Sequence, residues 1–203
     1  MNIRPEELVW NERYKLLIGS ILPRPIAFVS TINDNGESNL APFSFYTAIC
    51  ADPMLVCFSP MRNGVSGEKK DTLKNIEETN EFVINVVSGD IVERMNVTAQ
   101  NVPGGVDEFD LAGLTKKKSS MVSAYRVGES KVSLECVLHD LHHYGDVPGS
   151  GSLVVGRVVA AHIDEAAFDS GRIRTEVLKP IGRMAGQVYT NPLAEMFELE
   201  RKS

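Results

Sequence analysis

Two stretches of the chain, Val132–Tyr144 and residues 152–163, each run for ten or more residues in Val- and Leu-rich composition. Between them lies 145–151, a short polar turn with three glycines, Gly145, Gly149 and Gly151. Parallel neighbours need a long crossover, commonly a helix, whereas antiparallel neighbours need only a tight turn. Long strands joined by a short turn therefore predict an antiparallel barrel rather than βαβ units.

The first half agrees with this. Residues 25–32 form an apolar run that ends at Asn33-Asp34-Asn35-Gly36, whose residues tolerate positive φ, and this predicts a hairpin into residues 37–41. Two more strands are expected at 45–50 and 54–59, separated by the turn signal Asp52-Pro53. Strand composition returns at 82–87. Helical signals are few and short. One covers 14–22 and is halted by Pro23, and another covers Asp71–Thr79 with Asp71 as the expected N-cap and Leu73, Ile76 and Glu77 at helical spacing. A short helix is expected at 91–99, a loop at 101–105, and an amphipathic C-terminal helix over 191–201, with Leu193, Met196, Phe197 and Glu200 three to four apart. There is no repeat, low-complexity tract or linker. The expected organisation is a single domain over 1–203, with a core at about 20–190 and a helical tail from 191 to 203.

Composition narrows the function classes. The 203 residues are 43% hydrophobic and 24% charged, ordinary values for a soluble domain with a sizeable core. A net charge of −6 argues against nucleic acid or an anionic membrane as main partner. No apolar run reaches the roughly 18 residues of a membrane span, and the N-terminus lacks a leader pattern, so a cytoplasmic location is expected. Cys50, Cys57 and Cys136 have no C-x-x-C spacing and lie in apolar runs, which suits buried thiols in a reducing compartment.

Two segments carry chemistry. In Ala27-Phe28-Val29-Ser30-Thr31 and Asn39-Leu40-Ala41-Pro42-Phe43-Ser44-Phe45, two adjacent strands end in small hydroxyl and amide residues. These can line a shared ligand surface, or they can bond to neighbouring carbonyls; the pattern alone leaves both open. Ser44 sits between two aromatics that point to the opposite face, so if Phe43 and Phe45 fill the core, Ser44 faces a groove. The second segment is Ser59-Pro60-Met61-Arg62 followed by Lys69-Lys70-Asp71-Thr72 at a helix start. A helix N-terminus offers unpaired N–H groups and partial positive charge and so favours a phosphate, to which Arg62 and Lys70 add full charges and Ser59 and Thr72 hydroxyls. A solvated helix start with surface lysines is the alternative.

The order of these segments goes further than any one of them. Arg24-Pro25-Ile26-Ala27-Phe28-Val29-Ser30-Thr31, Asn35-Gly36, Asn39 through Phe45, Lys70-Asp71-Thr72, Asn75-Ile76 and Glu81-Phe82-Val83-Ile84-Asn85 resemble the flavin reductase-like family. The likeness continues through Asp107-Glu108-Phe109, Leu134-Glu135-Cys136, Gly156-Arg157-Val158-Val159 and Pro180-Ile181-Gly182-Arg183. It implies a mainly β fold, a six-stranded antiparallel split β-barrel with flanking short helices, dimerised with FMN at the subunit interface. It implies flavin contacts around Ser30, Thr31, Asn39, Ala41, Pro42 and Ser44, phosphate contacts at Ser59, Arg62, Lys70 and Thr72, and a flavin cover from Arg183 and Tyr189. The activity it implies is NAD(P)H-dependent reduction of FMN, passing electrons to free flavin, a partner protein or a small acceptor. A non-catalytic flavin-delivery protein and a flavoredoxin-type electron carrier are the rival readings. Hydride transfer between two rings needs stacking and water exclusion rather than a protein acid or base, which suits a chain with no triad or carboxylate pair.

Other signals carry less. His139 and His143 share a strand face and His142 points opposite, so these with His162 make an awkward metal set. The 145–151 turn is not a Rossmann fingerprint. Lys116-Lys117-Lys118 reads as a solvated loop.

Overall fold

A computed structural model of the chain describes residues 1–100, 102 and 105–200. Its elements in chain order are α1 (Trp10–Ser20), β1 (Ala27–Ile32), β2 (Ser38–Phe43), β3 (Tyr46–Ala51), β4 (Met54–Phe58), α2 (Asp71–Thr79), β5 (Glu81–Val86), α3 (Val92–Val97) and α4 (Glu108–Leu111). A two-residue ribbon follows, β6 (Lys116–Lys117) with β7 (Arg126–Val127), and then the long strands β8 (Val132–Tyr144) and β9 (Gly151–Ile163). The later chain adds two small ribbons, Phe168–Asp169 with Arg172–Ile173 and Gly182–Arg183 with Tyr189–Thr190.

The main sheet runs β2-β1-β5-β8-β9-β4-β3, every neighbouring pair antiparallel. The expected long hairpin is its centre, with Val132 opposite Ile163 and Tyr144 opposite Gly151. The sheet curls strongly. Phe58 on β4 and Phe82 on β5 have two strands, β8 and β9, between them in the ladder, yet their ring centroids lie 5.6 Å apart, and Phe43 of β2 packs at a tilt on Phe58 at 5.1 Å. These aromatics, with Ala27, Val29, Val56, Ile84, Cys136 and Val154, fill the concave side, which α2 plugs with Leu73 and Ile76. One glycine makes this possible: a Cβ at Gly156 of β9 would lie 2.3 Å from Phe82 Cζ. On the convex side, Phe28 and Leu40 pack under Met95 of α3 and Phe109 of α4.

The expectation of six strands closed into a barrel is corrected: the sheet has seven strands and ends at β2 and β3 without joining them. The β2 edge shows why. Leu40 N–H points away from β1 and is taken by Glu108 Oε2 at 3.0 Å. Two residues on, at the next outward position of the ladder, stands Pro42, which has no N–H to donate.

Several local expectations shift. The first helix begins at Trp10 rather than at residue 14 and ends at Ser20. The N-cap of α2 is Lys70, not Asp71, which instead binds Lys74 Nζ at 2.8 Å from the first turn. Of the 101–105 loop, only Val102 and Gly105 lie within the described residues. The amphipathic C-terminal helix is absent from 191–200, where only a 3-10 turn, Pro192–Ala194, forms, and residue 201 lies outside the described residues. Met196 and Phe197 of the expected apolar face are exposed, Phe197 at 80%, and a short helix with so little packing is marginal in water. Cys50 is exposed, not buried, because the apolar run of β3 looks outward; Cys57 is half-buried and Cys136 buried, all three being free thiols. Among the described residues no helix is long and apolar enough to cross a membrane.

Candidate functional site

The open edge of β2 forms one wall of a groove of about 780 Å³, closed by the start of α2, the start of α4 and residues flanking it. Five of the residues expected from the sequence line it: Asn39, Ala41 and Pro42 from β2, and Lys70 and Thr72 from α2. The wall and the helix are pinned together. Asn39 Nδ2 donates to Thr72 Oγ1 at 2.8 Å, and one turn later Asn75 Nδ2 donates to Thr31 Oγ1 at 3.0 Å. This fixes the helix start against the sheet. No side chain caps α2, and the first amides to bond back are those of Leu73 and Lys74, both to the Lys70 carbonyl. The amides of Asp71 and Thr72 therefore point out of the helix end, where the helix dipole adds positive potential. Lys69, Lys70 and Lys74 line the same end of the groove. Lys69 Nζ is held by Glu77 at 2.6 Å, and Glu77 also meets His143 Nε2 at 3.1 Å.

The other expected residues are placed differently. Ser30 and Thr31 are fully buried, one on each face of β1. Ser30 Oγ donates to the Tyr125 carbonyl and accepts from Asn85 Nδ2 at 3.2 Å, so it ties β1 to the chain beneath rather than lining the groove. Arg62 spans two loops, donating to the Gly67 carbonyl at 2.9 Å and the Gly145 carbonyl at 3.2 Å, next to Asn63 on the groove rim. Ser59, half-buried, donates its backbone N–H to the Phe45 carbonyl at 2.8 Å. Ser44 accepts from Arg24 Nε at 3.2 Å, and its neighbours diverge, Phe43 into the concave core and Phe45 onto Tyr14. Arg24 also donates to the Met184 carbonyl at 3.0 Å, which brings the Arg183 segment beside Ser44. There Arg183 stacks 4.3 Å from the Tyr189 ring centroid, and Tyr189 Oη donates to Asn96 Oδ1 at 3.0 Å. The expected residues thus divide into a groove set, the buried pair Ser30 and Thr31, Arg62 and Ser59 in and beside the loops, and Ser44, Arg183 and Tyr189 in a separate patch around Arg24.

Sequence reasoning assigned no role to the acidic side of the groove. Asp107 and Glu108 line it with Lys116. Burial works against the Asp107 charge, but Lys116, the Ser38 hydroxyl and the Phe109 amide outweigh it and hold this carboxyl below its usual range. For Glu108 burial wins: the amides of Leu40 and of Glu108 itself oppose it, the charges of Asp107 and Asp71 reinforce it, and the pKa is raised. Asp107 is a recognisable N-cap, accepting Phe109 N–H at 2.9 Å, and that pattern was the available signal.

The histidines are dispersed. His142 meets Asp140 at 2.9 Å, His143 meets Ser152 Oγ at 2.8 Å, and His162 contacts the buried Glu135.

Comparison with known proteins identifies the family and the fold. The chain is 40% identical to nitrilotriacetate monooxygenase component B from Bacillus cereus, whose structure superposes with a TM-score of 0.92 over 98% of each chain. It is 29% identical to the 2-nitrobenzoate 2-nitroreductase NbaA of Pseudomonas fluorescens, with a TM-score of 0.89 over 100% of this chain and 97% of that one. A putative flavin reductase with a split barrel domain from Shewanella frigidimarina shares the fold at 21% identity, with a TM-score of 0.81 over 100% and 98% of the two chains. Residues 18–179 match the flavin reductase like domain, and the chain belongs to that family.

Proposed function

We propose that this chain is an FMN-binding oxidoreductase of flavin reductase type that takes hydride from NAD(P)H. The observation that carries the proposal is the groove itself, with an uncapped, lysine-flanked helix start at one end and the open edge of β2 along its side. FMN asks for that donor set: an anion site for its phosphate and a half-apolar slot with amide and hydroxyl partners for the rest. In this reading the amides of Asp71 and Thr72, with Lys70, hold the phosphate, and Asn39, Ala41 and Pro42 wall the flavin. Ser30 and Thr31 act indirectly by fixing β1 and α2. Ser59 and Arg62 complete the phosphate end, Ser44 contacts the flavin, and Arg183 and Tyr189 of a second copy cover it. When bound, FMN supplies a ring position that accepts hydride directly from a nicotinamide, so the protein's task is to bind, orient and exclude water.

A homodimer is part of the proposal. Ile49 of β3 and Met54 of β4 are each 48% exposed, and Leu16 and Leu17 of α1 are exposed as well, leaving apolar surface for a second copy to cover. The named relatives suggest two acceptor types: a partner protein, as befits a monooxygenase component, or a small nitro compound, as for the nitroreductase. A cytoplasmic site of action, where thiols stay reduced, belongs to the same reading.

Visible absorbance and fluorescence of purified protein mixed with FMN test the flavin site, and anaerobic bleaching by NADH or NADPH tests the reductase. Bleaching by either nucleotide is expected. Flavin binding without bleaching would favour a delivery protein or an electron carrier of flavoredoxin type. No flavin binding would refute the proposal.

A further inference from the structure

Glu108 is a buried carboxyl of the groove whose chemistry the phosphate-and-ring reading leaves unused. It is only 9% exposed, yet it lines the cavity. One oxygen accepts Leu40 N–H at 3.0 Å. Its neighbour Asp107 takes Lys116, and among the described residues no basic side chain pairs with Glu108. Buried carboxyls are ordinarily paired, because a desolvated charge without a partner is costly. A carboxyl kept in a binding groove with backbone amides alone for company has acceptor capacity left over. Asp71, in the first turn of α2, lines the same groove.

We propose that Glu108 is a ligand-contacting, specificity-determining residue that accepts hydrogen bonds from hydroxyl groups of a polyol chain. On the FMN reading, upon which this inference rests, that chain is the ribityl segment between ring and phosphate. With the phosphate on the amides of Asp71 and Thr72, the hydroxyls nearest to it lie within the span between α2 and α4. The carboxyl cannot serve the phosphate, which it repels, nor the ring's carbonyls, which only accept. The ring's N3–H donor is kept in lumiflavin, so titration with that flavin separates it from the hydroxyls. Donor-bearing carbons between the two are the chemistry that fits. The groove then reads its ligand in three parts, with cations and helix amides for phosphate, Glu108 for hydroxyls and the β2 wall for the ring.

The test titrates the full-length protein and its Glu108→Ala variant with FMN, riboflavin and lumiflavin, which carry ribityl phosphate, ribityl alone and neither. The variant should bind FMN and riboflavin about 10- to 100-fold more weakly, the range for hydrogen bonds to a charged group, and lumiflavin as the wild type does. Loss of affinity for all three alike would make Glu108 a mere strut for β2 and overturn the assignment, as would no loss for any. Glu108→Gln retains an oxygen for Leu40 N–H and guards against simple unfolding. It should keep the wild-type denaturation midpoint and weaken FMN and riboflavin, by a smaller factor than alanine, without touching lumiflavin; any other order among the ligands overturns the assignment. A wild-type protein that binds none of the three refutes the flavin reading itself, a result distinct from a wild type that binds all three and a variant that does not discriminate.

Discussion

Glu135 on the central strand β8 is fully buried, and its acid response can be worked out from its contacts. Its carboxylate accepts Ser120 N–H at 2.7 Å and Met121 N–H at 2.6 Å, and also meets the Ser120 hydroxyl and His162. Burial pushes this carboxyl up, but the two amides, His162 and the hydroxyl prevail and hold it down at about 2, against 4.5 in an unstructured chain. At about 1.4 kcal/mol per pH unit the difference is roughly 3 kcal/mol, a large part of the 5–15 kcal/mol of a typical domain. Because the folded pKa is the lower one, this stability is fully present above pH 4.5 and is lost as the pH falls from there toward about 2. Glu135→Gln leaves one of the two amides without an acceptor, a cost of about 1–3 kcal/mol at neutral pH, and removes the titrating group. Urea unfolding of both proteins at neutral pH and at about pH 3 reads both effects. The variant should be less stable at neutral pH and should lose less on acidification. An equal loss on acidification in the two proteins would refute the assignment of this stability to Glu135.

Three further outcomes are expected. Lys70→Ala should weaken FMN by roughly 10- to 100-fold and riboflavin far less, since only FMN carries the phosphate, and titration with both flavins decides it. Gly156→Ala should destabilise by about 1–3 kcal/mol, because its Cβ would meet Phe82 Cζ at 2.3 Å within a ring already packed on Phe58; an unchanged urea midpoint would contradict this. Sedimentation at micromolar concentration should return twice the chain mass, and a stable flavin-loaded monomer would exclude the dimer.

Local pattern carried the sequence reading as far as contacts are local. The helix at Asp71–Thr79 was legible from its spacing, and the hairpin centred on Gly145–Gly151 from length and turn chemistry. Asn39, Ala41, Pro42, Lys70 and Thr72 were legible as a group because each lies in a short run whose order is distinctive. Ser30 and Thr31 were harder. Both faces of β1 are covered, one by α2 and the other by the segment around Tyr125, and nothing within the strand itself announces that second cover. Glu108 was out of reach for the same reason, since its bond to Leu40 spans 68 residues. The apolar run of β3 read as a place for a buried Cys50 but faces outward, because apolar composition within one strand does not say whether another element covers it.

The unclosed sheet and the candidate site have one physical origin. An edge strand with free N–H and C=O groups invites pairing, and a closed barrel would satisfy them with another strand. Here Pro42 removes one donor and Glu108 takes the next, so β2 is prevented from pairing onward without being covered. Its outward carbonyls then stand along a groove instead of inside a ladder. Opposite them, α2 starts without a side-chain cap, where a serine or aspartate at position 70 is the ordinary way to satisfy its first amides. With a lysine at that N-cap, no side chain takes the first amides of the helix. Two economies that a purely structural domain would make, closing the edge and capping the helix, are left unmade on two walls of the same cavity, and the proposed ligand, with an anion at one end and donors along its length, is of the kind that would complete both.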